Sequence, residues 1–307
     1  MTDTVPAPPG AAPGSIAHYT LLELLEPAGP GEVYRARDTK AGRTVTVRLL
    51  PADFPADADR RAALLTKARS LIAMSHPNII ALFDAGEHEG RTFLVFEFLK
   101  GLSLRGEMAG RPIKVRRALE LAIQIADAIA YAHASGFIHG GLSPDSIGIT
   151  AKGHAKIPVF EFAARSGFDP RNPDFRLHDY DSPEEANGQD GDERSDIYSV
   201  GAVLYEMLTT RRPMHRGAAS PSVSNRNVTP DLDDIVLKAV APNPASRIQN
   251  AATFAAELRA AAAHLDVEGG TGDDEQLDEA APTVGRVVII AAGILVVAGV
   301  LVWWLTG

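Results

Sequence analysis

The chain of 307 residues contains no cysteine. Disulfide bonds and thiolate metal sites are therefore excluded along its whole length, which is compatible with a reducing compartment without establishing one. Its 9 histidines show no metal-binding spacing, and neither a G-x-S-x-G nor an H-E-x-x-H motif is present. The sequence thus lacks the signatures of serine hydrolases and of zinc hydrolases, and we expect no metal cofactor.

Positive charge is also scarce, since 30 lysines and arginines face 39 aspartates and glutamates, a net charge of −9. Nucleic acid binding needs clustered positive charge, so no nucleic acid partner is expected. The first lysine or arginine is Arg35, and residues 1–16 contain no apolar run, so no secretory signal peptide is predicted. Their content of proline, glycine and alanine predicts a disordered leader.

One long hydrophobic run stands at residues 287–305 and carries no charge. As a helix it would span roughly 28 Å, close to the thickness of the hydrocarbon core of a bilayer. Arg286 precedes the run and no basic residue follows it, which predicts a single-pass helix over 286–307 in the cytoplasmic membrane, with the N-terminal domain in the cytoplasm. A buried core helix is the alternative.

Small residues recur seven apart within this run, as Ala291 with Ala298 and Ala292 with Gly299. That spacing places them on one helix face, where a weak homodimer could form, although alanine and glycine are common in membrane helices generally. The preceding residues 265–285 hold seven acidic residues and no basic one. This composition predicts a flexible acidic linker.

Residues 17–264 carry the periodic patterns of a folded domain. Strand patterns dominate up to about residue 99, interrupted by one helical stretch, ADRRAALLTKARSLIAM (58–74). From about residue 100 the apolar residues recur at three- and four-residue spacing, for example in RRALELAIQIADAIAYAHA (116–134). Two lobes of unequal size are expected, and no internal repeat is visible.

Several short motifs follow one another along this domain. They are GEVYRARD (31–38), SHPNII (75–80), FIHGGLSP (137–144), SPE (182–184) and SDIYSVGAVLYEMLTTRRP (195–213). In this order and spacing they resemble the motifs of bacterial, eukaryotic-type serine/threonine protein kinases. The resemblance implies an α+β, bilobal protein-kinase-like fold, with a β-rich lobe at about 17–99 and a helical lobe at about 100–264.

The positions that carry catalysis in that family are altered. Gly141 stands where the resemblance places the catalytic aspartate, and Ser143 where it places a phosphate-contacting lysine. Ser146 and Val159 occupy the places of the metal-binding asparagine and aspartate. Glycine cannot accept a proton, and loss of a positioned base typically costs about 10²–10⁴-fold in rate. Valine supplies no oxygen ligand for Mg²⁺.

The nucleotide positions implied by the resemblance are altered as well. Glu26 and Ala28 replace the first two glycines of the Gly-rich loop, where only glycine lets backbone amides approach phosphates. Thr46 and Gly148 replace two apolar walls of the adenine pocket, and only Val33 is typical of the family. Binding of ATP and magnesium is therefore doubtful.

The lysine of the activating ion pair is replaced by Arg48, whose planar guanidinium is not equivalent to an ammonium group. The partner glutamate position holds Lys67, so two like charges stand in place of the ion pair, and we interpret Lys67 as a solvated surface lysine. Leu177 occupies the usual threonine position before SPE, and Ser166 is the sole serine or threonine between Phe160 and Tyr180. Activation by phosphorylation there is not expected.

The residues that maintain the fold of the family are retained. They are Leu71, His139, Phe160 and Asp196, which resemble its internal spine, and Glu184 with Arg247, which can pair in the second lobe. The groups that would contact nucleotide, metal or substrate are lost. The resemblance therefore implies a pseudokinase. The expected partners are other proteins, such as an active kinase or its substrate. One alternative is a divergent kinase with residual ATP binding or non-standard catalysis, in which Arg48 would hold phosphates and Glu161 would reach a metal ion. The other alternative is a passive anchor.

Overall fold

The structure is a computed structural model, and it describes residues 14–25, 31–51, 58–158 and 179–269. Within these ranges the chain divides into two compact units. The first unit runs to Met74 and includes Ala81–Leu99, and the second comprises Ser75–Ile80 and the chain from Lys100 onward. No helix of the described ranges is long and apolar enough to cross a membrane. The predicted membrane helix at 286–307 lies outside these ranges.

The first unit is built on a six-stranded antiparallel sheet with the strand order β1-β2-β3-β4-β6-β5. The strands are β1 (Ser15–Ile16), β2 (Tyr19–Leu25), β3 (Glu32–Asp38), β4 (Arg43–Leu49), β5 (Leu82–His88) and β6 (Arg91–Glu97). In β2 buried and exposed residues alternate over the first four residues, whereas β4 and β6 are buried almost throughout. β4 and β6 are therefore the central strands, and their valines, Val45, Val47 and Val95, form the core with Tyr19 and Phe93.

One long helix, α1 (Ala58–Leu71), accompanies this sheet. Its buried residues are Leu64, Leu65, Ala68 and Leu71, spaced three and four apart along one face. The remaining residues of α1 whose side chains are described are exposed or half-buried. The amphipathic pattern thus accounts for the helix, although it ends at Leu71, three residues before the end of the predicted stretch.

The second unit is predominantly helical. Its helices are α2 (Leu104–Met108), α3 (Val115–Ala134), α4 (Pro183–Ala186), α5 (Glu193–Thr209), α6 (Pro230–Ala239) and α7 (Ala251–Gly269). Three short strands, β7 (Gly101–Ser103), β8 (Gly148–Thr150) and β9 (Ala155–Lys156), form a small antiparallel sheet, and two 3₁₀ turns lie at Pro221–Val223 and Pro244–Ser246.

Helix α5 is the centre of the second unit. All of its residues from Ser195 to Thr209 are buried, so it is covered on every side, as expected of a core helix. Gly201 makes room for α6, because a Cβ atom at this position would lie 2.7 Å from the Cβ atom of Ala239. Asp192 caps the N-terminus of α5 by accepting a hydrogen bond from the backbone of Arg194.

Three predicted boundaries differ from the structure. Ser15 and Ile16, assigned to the leader, pair with β2. Residues 75–80, assigned to the first lobe, belong to the second unit, because Asn78 donates a side-chain hydrogen bond to the Ala155 carbonyl, and Ile80 an amide hydrogen bond to the Ile157 carbonyl. The sequence predicts that the domain ends at 264, but α7 continues to Gly269. The helix ends there because Gly269 and Gly270 are unfavourable in a helix.

Candidate functional site

The loop at residues 137–147, which the sequence marks as the altered catalytic loop, connects α3 to β8. Its apolar anchors are fully buried, with Leu142 1% and Ile147 0% exposed. The Ile147 carbonyl accepts a hydrogen bond of 2.8 Å from the Leu104 amide, and the Pro144 carbonyl one of 2.9 Å from Arg105. Helix α2 and the loop therefore hold each other through their backbones.

Asp196 binds the backbone at the start of this loop. Its carboxylate accepts hydrogen bonds of 2.7 Å from the amides of His139 and Gly140, and a third of 2.7 Å from Nε2 of His133. The imidazole of His139 donates through Nε2 to the Pro158 carbonyl at 2.8 Å. The structure thus brings together His139 and Asp196, two of the positions that resemble the internal spine of the family.

The contact of His133 with Asp196 is not predicted by the sequence analysis above. His133 lies on α3, its side chain is 6% exposed, and it continues the buried stripe formed by Ala122, Ile125 and Ile129. A polar residue on an otherwise apolar helix face was the available signal, because such a residue needs a buried partner. Here the partner is Asp196.

The three altered catalytic positions of the loop contain no free acid or base. Gly141 has no side chain. Ser146 donates its hydroxyl to the Ser143 carbonyl at 3.0 Å and accepts from the Ser143 amide at 3.1 Å, while the Ser143 hydroxyl accepts from the Ser146 amide at 3.2 Å. The two serines therefore form a closed turn, in which the hydroxyl groups satisfy the backbone of the loop itself.

Asp145 is the single carboxylate between His139 and Thr150, and it is engaged by Arg105. Nε of Arg105 lies 3.3 Å from both Asp145 oxygens, and Nη2 lies 3.2 Å from Oδ2. Arg105 also donates to Glu206 at 2.6 Å and to the hydroxyl of Tyr180 at 2.5 Å, and that hydroxyl donates to Glu206. No sequence pattern predicts this cluster, because Arg105 and Glu206 are 101 residues apart.

The pair of Glu184 and Arg247 is formed in the second unit, with two hydrogen bonds of 2.6 Å. Burial would raise the pKa of Glu184, but its hydrogen bonds with Arg247, a backbone amide, Ser195 and Ser182 outweigh burial and lower the pKa to about 2. The guanidinium of Arg247 also donates to the carbonyls of Arg194, Ala241 and Pro242. The pair joins α4, the start of α5 and the segment after α6.

The first unit contains three of the described nucleotide positions. Val33, Thr46 and Arg48 are buried in β3 and β4, with exposures of 1%, 0% and 7%, and Leu71 is buried at the end of α1. The Thr46 hydroxyl has no hydrogen-bond partner among the described residues. Lys67, which we interpreted as a solvated lysine, is half-buried, and burial lowers its pKa.

In the second unit, Gly148 is buried in β8, opposite Ser103 and Lys156. The other predicted site positions lie outside the described residues. They are Glu26, Ala28, Val159, Phe160, Glu161, Ser166 and Leu177.

Magnesium does not fit the described residues at these positions. The part of the chain that the structure describes holds no group of three or more His, Cys, Asp or Glu side chains able to bind a metal ion. Mg²⁺ needs several oxygen ligands in near-octahedral geometry, and the neutral Ser146 hydroxyl, which already makes two hydrogen bonds with the Ser143 backbone, offers it at most one lone pair.

Comparison with known proteins identifies the class. The model of the protein kinase domain matches residues 22–260. The kinase domain of Mycobacterium tuberculosis PknI has the same fold, with a TM-score of 0.68 over 82% of this chain and 99% of that domain, at 22% identity. The chain therefore belongs to the protein kinase family, and the predicted β-rich first part and helical second part are confirmed.

Curated relatives are bacterial serine/threonine protein kinases. A probable serine/threonine-protein kinase of Streptomyces coelicolor is 33% identical over 79% of this chain and 39% of its own length. PknB of Mycolicibacterium smegmatis is 35% identical over 78% of this chain and 42% of its length. PrkC of Bacillus subtilis is 30% identical over 87% of this chain and 44% of its length. The chain thus spans about two fifths of the length of these relatives.

Proposed function

We propose that the chain is a pseudokinase of the bacterial serine/threonine kinase family, anchored in the cytoplasmic membrane, which binds another protein instead of transferring phosphate. The observation that carries the proposal is Gly141, which leaves the loop without a proton acceptor at the position of the catalytic base. A positioned base must lie within hydrogen-bond reach of the proton that it removes.

The surrounding polar groups support this interpretation. The one carboxylate of the loop, Asp145, is held by Arg105 through two nitrogen atoms. The hydroxyls of Ser143 and Ser146 bond to the loop backbone. A group that is already engaged in this way is a poor candidate for a displaced base, since the reaction would have to break its hydrogen bonds first.

The contacts that maintain the fold argue for a binding role. The bidentate pair of Glu184 with Arg247 and the three hydrogen bonds to Asp196 keep the second unit rigid. Loss of chemical groups beside intact packing groups is expected when a surface, and not a reaction, has to be preserved. An active kinase of the same family, or its substrate, is the class of partner that we propose.

The experiment is an assay of the purified full chain with radiolabelled ATP, in magnesium and in manganese, for autophosphorylation and for transfer to a generic serine/threonine substrate. We expect incorporation at the level of the protein-free blank. The matched variants are Arg48→Ala, which removes the charge that could hold phosphates, and Asp145→Asn, which removes the remaining loop carboxylate. Incorporation above the blank that either variant abolishes would overturn the proposal in favour of a divergent kinase.

A further inference from the structure

Residues 210–229 form a basic and apolar surface segment on the second unit, between α5 and α6. The segment contains Arg211, Arg212, Arg216 and Arg226, and it has no acidic residue, in a chain whose net charge is −9. All four arginines are exposed. Arg212 pairs with Asp179, whereas the other three pair with no carboxylate of the described residues. The segment therefore carries a local excess of positive charge on an acidic protein.

Two large apolar side chains are exposed within the same segment. Val223 is 78% and Met214 is 72% exposed, the highest values among the large hydrophobic residues of the described chain. The backbone that presents them is fixed. Asn225 donates to the Leu208 carbonyl at 2.9 Å, and the Ser222 amide donates to Asp233 at 2.9 Å. Met214 and Val223 therefore stand exposed in the same segment as the four exposed arginines.

The sequence after α7 has the complementary composition. Residues 270–285 contain five acidic residues, no basic residue and two large apolar residues, Val284 and Leu277, and Leu277 is followed directly by Asp278 and Glu279. A segment of this kind matches the surface in both charge and apolar character. Complementary charges set the register of such contacts, and apolar burial contributes to their strength.

The chain also leaves the second unit close to the surface segment. His264 of α7 lies 3.5 Å from Asp231 at the start of α6, only five residues after Arg226. The helix continues from His264 to Gly269, which adds roughly 8 Å. The eight residues from Gly269 to Leu277 can extend over about 26 Å. Leu277 is therefore within reach of the segment at residues 210–229.

We propose that the acidic segment 270–285 docks on the surface of residues 210–229 of the same molecule, with Leu277 at the apolar residues Met214 and Val223. The docked linker covers this surface, and a partner that binds there has to displace it. Attachment to the same chain favours docking, because a short tether gives an effective concentration in the millimolar range. The inference does not depend on whether the chain transfers phosphate.

The absence of native cysteine makes a direct test possible. The pair Val223→Cys and Leu277→Cys, introduced in the full chain in a neutral detergent, supplies the only two thiols. Under mild oxidation we expect an intramolecular disulfide, seen as a monomer of altered mobility and confirmed by peptide mass analysis. The matched control adds Arg216→Gln and Arg226→Gln to the same cysteine pair. Two exposed ion pairs contribute about 1 kcal/mol together, so cross-linking should slow by about fivefold.

A charge swap provides the rescue. Arg216→Glu with Arg226→Glu should abolish rapid cross-linking, and adding Asp273→Lys with Asp274→Lys should restore it. Cross-linking that neither the arginine variants nor high salt slows would overturn the proposal, since a free tether collides without regard to charge. A predominantly intermolecular disulfide would assign the surface to a second copy. Slower cross-linking in vesicles containing phosphatidylserine than in phosphatidylcholine vesicles would assign the surface to anionic lipid. Either of these results, the intermolecular disulfide or the effect of anionic lipid, would overturn the intramolecular docking.

Discussion

Arg247 and Glu184 are joined by two hydrogen bonds of 2.6 Å, from Nη1 to Oε1 and from Nη2 to Oε2. The side chain of Arg247 is 0% exposed and that of Glu184 is 13% exposed. This is a buried, bidentate ion pair, and such pairs are sensitive to the loss of one member, which leaves an uncompensated charge in the interior.

We expect Arg247→Ala to lower the free energy of unfolding by about 3–5 kcal/mol, because it leaves the carboxylate of Glu184 buried without its partner. Urea denaturation followed by circular dichroism measures this change. The control is Arg259→Ala, which breaks the exposed pair of Arg259 with Asp127 and should cost less than about 1 kcal/mol. Equal losses in the two variants would contradict a special role of the buried pair.

The same pair predicts a dependence of stability on pH. Burial opposes the shift, but hydrogen bonds, mainly those from Arg247, lower the folded-state pKa of Glu184 from its ordinary value of 4.5 to about 2. A depressed carboxyl pKa contributes stability that is fully present above the unfolded pKa and is lost as the pH falls through the folded pKa. We therefore expect part of the stability to disappear between pH 4.5 and about pH 2. In urea titrations, Glu184→Gln should be less stable at neutral pH and should lose less in this window.

Some of these contacts could be predicted from the sequence. The positions of Glu184, Arg247, His139 and Asp196 could be assigned by motif spacing alone, and the structure places each pair in its own network. The same holds for most helices and strands of the domain, because their apolar periodicity is strong. Local pattern is sufficient where a residue packs with near neighbours in sequence or belongs to a spaced motif.

Contacts between distant polar residues that belong to no spaced motif could not be predicted. Arg105, Asp145, Tyr180 and Glu206 are drawn together from four separate segments, and no one of them stands in an unusual sequence context. Short strands such as β7 carry too few residues for a period to show. The unit boundary at residues 75–80 was misplaced for the same reason, since it depends on backbone pairing with residues 155–157.

A further prediction concerns Asp196, whose carboxylate accepts three hydrogen bonds of 2.7 Å and is fully buried. Asp196→Asn keeps the shape but turns one acceptor into a donor, which then faces a backbone amide or the His133 imidazole. We expect a loss of about 1–3 kcal/mol in unfolding free energy. Asp192→Asn on the same helix is the control, because asparagine also caps helices and should change stability by less than about 1 kcal/mol. A neutral Asp196→Asn would contradict the assignment of Asp196 as the anchor of the loop.

Nucleotide binding is predicted to be weak and insensitive to magnesium. The Ser146 hydroxyl is neutral, makes two hydrogen bonds with the Ser143 backbone and offers a metal at most one lone pair, and Gly141 and Ser143 offer no charge. Thermal unfolding with ATP, with and without Mg²⁺, measures this. A ligand at 100 times its dissociation constant stabilises by about 2.7 kcal/mol, so a real binder is readily seen. A shift that requires Mg²⁺ would show that the metal site exists, and loss of a metal-independent shift in Arg48→Ala would identify Arg48 as the phosphate contact.

The last prediction concerns the apolar run at residues 287–305, which carries no charge over 19 residues. A run of this length is sufficient to span a bilayer, and Arg286 on its N-terminal side predicts that the domain faces the cytoplasm. We expect deletion of residues 286–307 to release the protein into the soluble fraction after ultracentrifugation, with an unchanged circular dichroism spectrum. The control is Ala298→Leu, which keeps the run apolar, so the protein should remain with the membranes, and any homodimer formed through Ala291 and Ala298 should weaken. If the truncated protein still sediments with membranes, or if the full chain is soluble without detergent, the anchor and its topology are wrong.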